Sequence, residues 1–352
     1  MKDTFSLNGN ETPFTPGETI LDAARNNGIE IPSLCYLEGC APSGACRVCV
    51  VEVEGARSLV ASCSTPVTPG MAVLTDTDRV HRARKLVIEL LLSSGNHNCL
   101  TCEANGNCRL QDLAYFYKIE GLRFDERQDT YPTEAENPFI IRDFSRCILC
   151  GRCVQACNEM VVNRAISMGY RGSDSKIVTG GDRPYHESEC VFCGQCVEVC
   201  PVGALKEKKA RGAGRPWETK KIRTTCPYCG VGCQQWLHVK DGKIIKVSAV
   251  EDAEPNKGRL CVKGRFAYDF IYSGERLTSP LIREEDGSFR EASWDEALGL
   301  VASKFKEIID RDGPDAIAGV SCARSINEDS YQMQKLFRAV IGTNNIDHCA
   351  RT

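Results

Sequence analysis

The chain has 22 cysteines in 352 residues, and nineteen of them fall into five short groups. The groups are Cys35, Cys46, Cys49 and Cys63; Cys99, Cys102 and Cys108, with His97 beside them; Cys147, Cys150, Cys153 and Cys157; Cys190, Cys193, Cys196 and Cys200; and Cys226, Cys229, Cys233 and Cys261. Any fold of this chain has to gather thiols five times over. Disulfides, zinc and iron–sulfur clusters are the three ways to satisfy such groups. The N-terminus, MKDTFSLNGNETPFTPG, has no apolar segment of a secretory signal, which argues against disulfides. Zinc sites usually pair two C-x2-C knuckles across a longer loop. Runs of cysteines separated by two residues and closed by Cys-Pro fit cubane clusters better. The two central groups are therefore expected to hold [4Fe–4S] clusters, and the whole ladder to conduct electrons.

Composition narrows the rest. A chain of 352 residues can form two or more domains, and 42% hydrophobic residues is ordinary for a globular protein. The net charge of −3 gives no basic field for nucleic acid or an acidic membrane surface. No apolar run approaches the roughly 20 residues that span a bilayer, so a cytoplasmic protein without a membrane span is expected. There is no phosphate loop and no dinucleotide fingerprint. Gly212-Ala213-Gly214 lacks the third glycine and the strand–turn–helix setting. Nicotinamide and flavin are therefore expected on other subunits.

Residues 1–80 read as a small β-rich domain. Thr15-Pro16-Gly17-Glu18 predicts a capping box opening a helix over 18–27 that stops at Gly28. Val48–Val53 predicts a strand, followed by a turn at Glu54-Gly55. With the order C-x10-C-x2-C-x13-C, the segments CYLEGCAPSGACRVCVVEVEG and LVASCSTPV resemble a β-grasp [2Fe–2S] ferredoxin of the kind that opens the large peripheral subunit of respiratory complex I and many iron hydrogenases. The resemblance implies one [2Fe–2S] cluster on Cys35, Cys46, Cys49 and Cys63. Gly39, Gly44 and Ala45 would let backbone N–H groups approach its sulfurs. Cys40 is surplus and is expected to be a small residue of the cluster loop.

Residues 81–137 open with a helix, Val80–Leu92, whose apolar side is expected at Leu86, Val87, Leu90 and Leu91. GNHNCLTCEANGNCRLQ follows, an H-x-C-x2-C-x5-C pattern in which His97 is the side chain able to complete three thiols. It resembles the module of the same families that binds [4Fe–4S] through one histidine and three cysteines, with the histidine two rather than four residues before the first cysteine. Imidazole in place of thiolate removes negative charge and raises a cluster's potential.

Residues 138–208 contain an internal repeat, C-x2-C-x2-C-x3-C, closed by Pro201. This is the two-cluster bacterial ferredoxin pattern, in which the fourth cysteine of each run ligates the other cluster. The resemblance assigns Cys147, Cys150, Cys153 and Cys200 to one cubane and Cys190, Cys193, Cys196 and Cys157 to the other. His186 is expected in a plain loop. The basic stretch KEKKARGAGRPWETKK suggests a solvated linker over 209–221.

Residues 222–275 carry C-x2-C-x3-C-x27-C, which alone also suits zinc. CPYCGVGC and CVKGR together resemble the N-terminal [4Fe–4S] domain of the molybdenum or tungsten bis-pterin oxidoreductases, where the position held here by Lys263 lies between cluster and pterin. In 276–352, Ser293 predicts a cap for a helix running to about Arg311, and Asp315–Val320 a buried strand. The closing SCARSINEDSYQMQKLFRAVIGTNNIDHCART resembles the formate dehydrogenase alpha subunit, in the form with a complex-I-like N-terminal extension. In that family the metal-binding selenocysteine or cysteine would come immediately after Thr352, so no catalytic residue is expected within the chain. The encoded protein is expected to continue past an in-frame UGA. Most of the pterin-binding α/β domain, with its molybdenum or tungsten bis-pterin guanine dinucleotide, is then missing, and Asp315–Thr352 should expose apolar surface. Cys322 and Cys349 are expected to be packing residues.

An α+β multidomain protein follows: a β-grasp domain, a His-ligated cluster module, a two-cluster ferredoxin, and the start of a bis-pterin fold. The resemblance implies one [2Fe–2S] and four [4Fe–4S] clusters passing electrons from a formate/CO2 site to a flavoprotein subunit (FMN, NAD(P)) and a small [2Fe–2S] subunit of complex I type, with ferredoxin a further partner. The rivals are an iron-hydrogenase or complex I-like subunit without formate chemistry, and a pure electron-transfer or scaffold protein.

Overall fold

The computed structural model describes residues 3–126 and 131–349, and the chain divides into two compact units. The first unit comprises residues 1–220 with 238–246; the second comprises 221–237 with 247–352.

The first unit opens with a five-stranded mixed sheet of order β2-β1-β5-β3-β4. β1 (Thr4–Leu7) is antiparallel to β2 (Asn10–Pro13) and parallel to β5 (Ala72–Leu74), as in a β-grasp. β3 (Val50–Val53) and β4 (Val60–Ala61) complete the sheet. Phe5, Leu7, Val51 and Val73 point inward onto Ile20, Leu21 and Ala24 of helix α1 (Ile20–Asn26). That helix starts later than expected. Gly17, at φ +94°, blocks right-handed backbone, so Thr15 and Glu18 form only a hydrogen-bonded turn (3.0 Å). Thr19 and Asp22 make the capping box instead, each side chain 3.2 Å from the other's backbone nitrogen.

Helix α2 (Asp78–Ser93) also departs from expectation. Its buried face is Val80, Arg84 and Ile88, whereas Leu86 and Leu90 are exposed. Arg84 is drawn inside because its guanidinium donates twice to the Val50 carbonyl (3.2 and 2.8 Å). Val87 and Leu91 do pack inward. After α3 (Arg109–Phe116), strands β6 (Ile140–Arg142) and β9 (Leu205–Glu207) pair antiparallel around the cysteine repeat. The repeat contains two one-turn helices, α4 (Arg152–Gln155) and α5 (Gln195–Glu198), with hairpin β7–β8 (Ile166–Gly169, Lys176–Thr179) between them.

A three-stranded sheet, β10 (Lys220–Thr225), β11 (Gln234–Lys240) and β12 (Lys243–Ala249), follows. The second unit adds α6 (Val262–Phe266) and hairpin β13–β14 (Leu281–Arg283, Phe289–Glu291). Helix α7 (Trp294–Asp312) is capped by the Ser293 hydroxyl accepting from Glu296 N (3.1 Å), as expected. β15 (Gly319–Ser321) and β16 (Ile346–His348) pair in parallel, joined through α8 (Asn327–Lys335). The buried strand expected at Asp315–Val320 is a turn leading into β15, with Ile317 buried and Val320 77% exposed. Tyr331, Leu336 and Val340 are also exposed, as are Trp294, Leu298 and Val301 on α7.

Candidate iron–sulfur sites

All 22 cysteines are unbridged. Cys35, Cys46, Cys49 and Cys63 are buried where β3 and β4 meet the long loop after α1. Their thiols touch in pairs: hydrogen bonds from Cys46 and Cys63 push the Cys35 thiol down to about 2. The Cys63 thiol pushes Cys49 down to about 6. Cys46 and Cys63, the donors, move up. Arg47 lies in the left-handed region (φ +58°), folding the loop between Cys46 and Cys49 around the sulfurs. Cys40 packs with Met160 against Leu37, Ala156 and Val199.

Cys99, Cys102 and Cys108 are mutual electrostatic neighbours, and burial raises Cys99 and Cys108. His97 is lowered by burial and hydrogen-bonds the Leu91 backbone carbonyl. A ligating histidine commonly ties its second ring nitrogen to a carbonyl in this way. Arg146 is the charged neighbour common to His97 and Cys99. Gly203 is needed here: a Cβ on it would lie 2.6 Å from Cys102 Sγ.

The repeat brings its cysteines together crosswise. Cys200 acts on Cys147, Cys150 and Cys153, while Cys157 acts on Cys190 and Cys196. One cavity is lined by Cys147, Cys150, Cys153 and Cys200 together. Burial pushes Cys147 up to about 11, Cys150 up to about 12 and Cys196 up to about 12. Left-handed residues recur in step, Leu149 with Gly151 and Phe192 with Gly194. They turn backbone amides onto sulfur, as from Phe192 N to Cys190 Sγ (3.4 Å) and from Leu149 to Cys147. His186 lies in an exposed turn beside Glu187, as expected.

In the second unit Cys226, Cys229, Cys233 and Cys261 are mutual neighbours, and Cys226 N donates to Cys233 O (2.8 Å). A Cβ at Gly264 would meet Cys226 Sγ at 3.4 Å. Lys263 is exposed on α6, two residues after Cys261. Of the two cysteines expected to be packing residues, Cys322 is half-buried and Cys349 is not buried. The Cys349 sulfur lies 3.5 Å from that of Cys322, because they follow paired positions of β15 and β16. Ala350, Arg351 and Thr352 lie outside the described residues.

These donor sets fit polynuclear clusters. Most of the thiols are buried or half-buried, with Cys261 exposed, and several receive backbone N–H groups, which is how cluster sulfurs are held. Cysteines from four of the five groups also share one apolar core, in which Cys35, Cys46, Cys108, Cys147, Cys150 and Cys200 pack with Leu34, Ile88, Leu110 and Val202.

Residues 209–221, expected as a solvated linker, are exposed or half-buried along their length, but two of their side chains reach the loop of the His97 site. Arg215 donates to the carbonyls of Cys102 and Leu100 (3.1 Å to the latter), and the Trp217 ring covers Gly106. The Arg-Pro-Trp that makes this latch is visible in the sequence, but the surrounding Lys and Gly residues hide it.

Family models match in order along the chain. They are a 2Fe-2S iron-sulfur cluster binding domain at residues 3–78, the NADH-ubiquinone oxidoreductase-G iron-sulfur binding region at 84–123, and a 4Fe-4S dicluster domain at 146–204. The molybdopterin oxidoreductase Fe4S4 domain follows at 219–273 and the molybdopterin oxidoreductase domain at 276–352. The NADPH-Fe(3+) oxidoreductase subunit alpha of Geobacter sulfurreducens is 38% identical over 348 residues, 99% of this chain and 40% of that protein. A Staphylococcus aureus protein named "Putative formate dehydrogenase" is 34% identical over 385 aligned residues, 98% of this chain and 39% of that protein. The chain thus spans about two fifths of the length of these curated relatives. In a crystal structure of NAD+-reducing [NiFe]-hydrogenase, one chain matches with a TM-score of 0.57 and 35% identity, covering 61% of this chain and 91% of that one. Among the described residues no helix is long and apolar enough to cross a membrane. The chain thus carries molybdopterin oxidoreductase Fe4S4 and molybdopterin domains, set behind complex-I-G-like 2Fe-2S and 4Fe-4S modules.

Proposed function

We propose that this chain is the electron-conducting part of a cytoplasmic formate dehydrogenase, carrying electrons between a formate/CO2 site and a flavoprotein NAD(P)-linked partner through five clusters. Cys35, Cys46, Cys49 and Cys63 hold the [2Fe–2S] cluster. His97, Cys99, Cys102 and Cys108 hold one [4Fe–4S] cluster. Cys147, Cys150, Cys153 and Cys200 hold the next, Cys190, Cys193, Cys196 and Cys157 the next, and Cys226, Cys229, Cys233 and Cys261 the last. The clusters supply one-electron transfer. The residues around them keep the thiols dry, supply amide donors to sulfur, and set the order of the sites along the chain. Lys263 belongs with the last set, toward a molybdenum or tungsten pterin. The observation that carries this reading is the common core in which ligands of three sets are packed together.

Iron analysis is the first test: the scheme requires about 18 iron atoms per chain. About four, or stoichiometric zinc, would sink it. The resemblance to a named formate dehydrogenase supports the substrate. The higher identity to an NADPH-Fe(3+) oxidoreductase subunit supports a second reading, in which the whole protein draws electrons from NADPH and delivers them to another acceptor. Formate-dependent viologen reduction by the protein with a complete molybdopterin domain would decide for the first. NADPH-dependent ferric reduction without formate turnover would decide for the second.

A further inference from the structure

The two cysteine repeats carry different residues just after their left-handed glycine: Arg152 follows Gly151, and Gln195 follows Gly194. Both side chains are buried, with 7% and 3% exposure. For a glutamine this is tolerable. For a guanidinium it is costly unless an anion faces it. Arg152 Nε and Nη1 are buried without a hydrogen-bond partner. The strongest electrostatic influences on Arg152 come from Arg109, a like charge, and from three thiols, Cys150, Cys200 and Cys35. No carboxylate is among them. Two of the thiols belong to the first-repeat set and the third to the N-terminal set.

The placement is built in. Gln155, one turn along α4, donates from Nε2 to the Ala41 carbonyl (2.5 Å), and Glu159 accepts from Ala41 N (2.7 Å). Ala41 lies in the loop between Cys35 and Cys46, so α4 is fastened to the N-terminal site with Arg152 at its first position. The second set has a cation nearby too, since Arg142 acts on Cys190. But Arg142 is neutralised by Glu134, whose carboxylate accepts from its Nε (2.8 Å).

We propose that Arg152 is the shared counter-cation of the N-terminal [2Fe–2S] site and the first-repeat [4Fe–4S] site, and that it raises the reduction potential of both. This rests on the cluster assignment above. Four thiolates around either cluster leave a net negative charge, and reduction adds one more. A cation held in a dry setting between them therefore favours the reduced state of each. Reducing one cluster adds negative charge near the other and so opposes the second reduction.

The test is a redox titration of the whole chain followed by electron paramagnetic resonance, with iron content measured alongside. Arg152→Gln copies the residue that the second repeat accommodates, and Arg152→Lys keeps the charge. In Arg152→Gln the reduced-to-oxidised ratio at fixed potential should fall at least tenfold, about 59 mV for a one-electron couple, for the [2Fe–2S] cluster and one [4Fe–4S] cluster. The other three clusters should not move, and Arg152→Lys should stay within twofold of the parent at both sites. Unchanged midpoints with full iron in Arg152→Gln would overturn the proposal. So would an equal shift of all five clusters, or loss of iron in both variants, which would mark a packing role. If only Arg152→Gln loses iron, the lysine variant decides by the same twofold criterion. A parent chain without iron would refute the cluster assignment itself, which is a distinct result.

Discussion

The repeat Cys147–Cys157 and the repeat Cys190–Cys200 are the same device in different surroundings. Their backbones agree closely: Leu149 and Phe192 have φ of +51° and +52°, Gly151 and Gly194 of +75° and +73°. Each then enters a four-residue helix. Even the residues five positions before each run meet, since the Arg142 guanidinium lies 4.2 Å over the Tyr185 ring. The neighbours differ. The first repeat continues into a π-helical turn, Ala156–Met160, and fastens onto the N-terminal site through Ala41. The second ends at Cys200-Pro201, where the Pro201 carbonyl accepts from Arg109 N (3.0 Å) beside Cys108. Duplication explains how two clusters are held. Side chains at a few register positions explain why they need not behave alike.

The largest test of the comparison exchanges its crossed partners. Cys157→Ala should abolish the cluster of the second repeat and spare that of the first. Cys200→Ala should do the reverse. Each should remove about four iron atoms per chain and one electron paramagnetic resonance signal, the two variants losing different signals. Loss of the same signal in both, or of the cluster native to the mutated run, would mean that the thiols do not pair crosswise.

Next come the charges that frame the first repeat. Arg142 is 1% exposed and leans on Glu134. Glu134→Gln leaves a buried cation without its anion and should cost about 3–5 kcal/mol in denaturant unfolding. Asp143 holds Arg146 (3.0 Å), Lys206 (3.2 Å) and the Ser145 hydroxyl (2.5 Å). Asp143→Asn should cost about 2 kcal/mol. Burial raises the Asp143 carboxyl, but the Ser145 hydrogen bond and the Lys206 and Arg146 charges outweigh it and hold it below its ordinary value. Its stabilisation is therefore complete above the unfolded carboxyl pKa of about 3.9 and fades as pH falls through the lower folded value. Asp143→Asn should flatten the acid limb of the stability profile there. An unchanged acid limb would remove Asp143 from the frame.

Much of this was legible in the sequence because thiol spacing is local. A C-x2-C-x2-C run must wrap one centre, and duplication of the run showed the ferredoxin-like core. What stayed hidden depends on contacts far apart in the chain. Arg84 lies on the buried face of α2 because Val50, 34 residues earlier, offers a carbonyl. The helix after Thr15 is delayed by one glycine's dihedral angle. Cys349 and Cys322 meet only because β15 and β16 pair in register. Arg152 reads as an ordinary charged residue inside a cysteine motif. Only its burial, with Cys35 more than a hundred residues away in sequence, marks it out.

A smaller effect is expected from Arg215, which neither repeat touches. Arg215→Ala removes the donors to Cys102 and Leu100 from a partly exposed position, so about 1 kcal/mol is the expected cost. Iron should be lost on mild chelation from the His97 site first. Earlier loss from either repeat would show that the latch supports the ferredoxin-like core and not the loop it covers.

The smallest effect tests whether the second repeat has a tuning residue of its own. Tyr185 is 1% exposed and its hydroxyl lies 3.9 Å from Cys196 Sγ, a long contact to sulfur. Burial pushes its pKa well up, so it stays a donor across the accessible pH range. Hydrogen bonds to cluster sulfurs raise reduction potential by easing negative charge. Tyr185→Phe keeps the ring under Arg142 and removes only the hydroxyl. One [4Fe–4S] cluster should shift to lower potential by the equivalent of ~0.5 kcal/mol or less, with the [2Fe–2S] cluster unmoved. Arg152→Gln and Tyr185→Phe should then act on different cubanes and add when combined, since they share no cluster. A shift of the same cubane by both variants would collapse the distinction between the repeats. No shift from Tyr185→Phe would leave the buried charge at Arg152 as the source of their asymmetry.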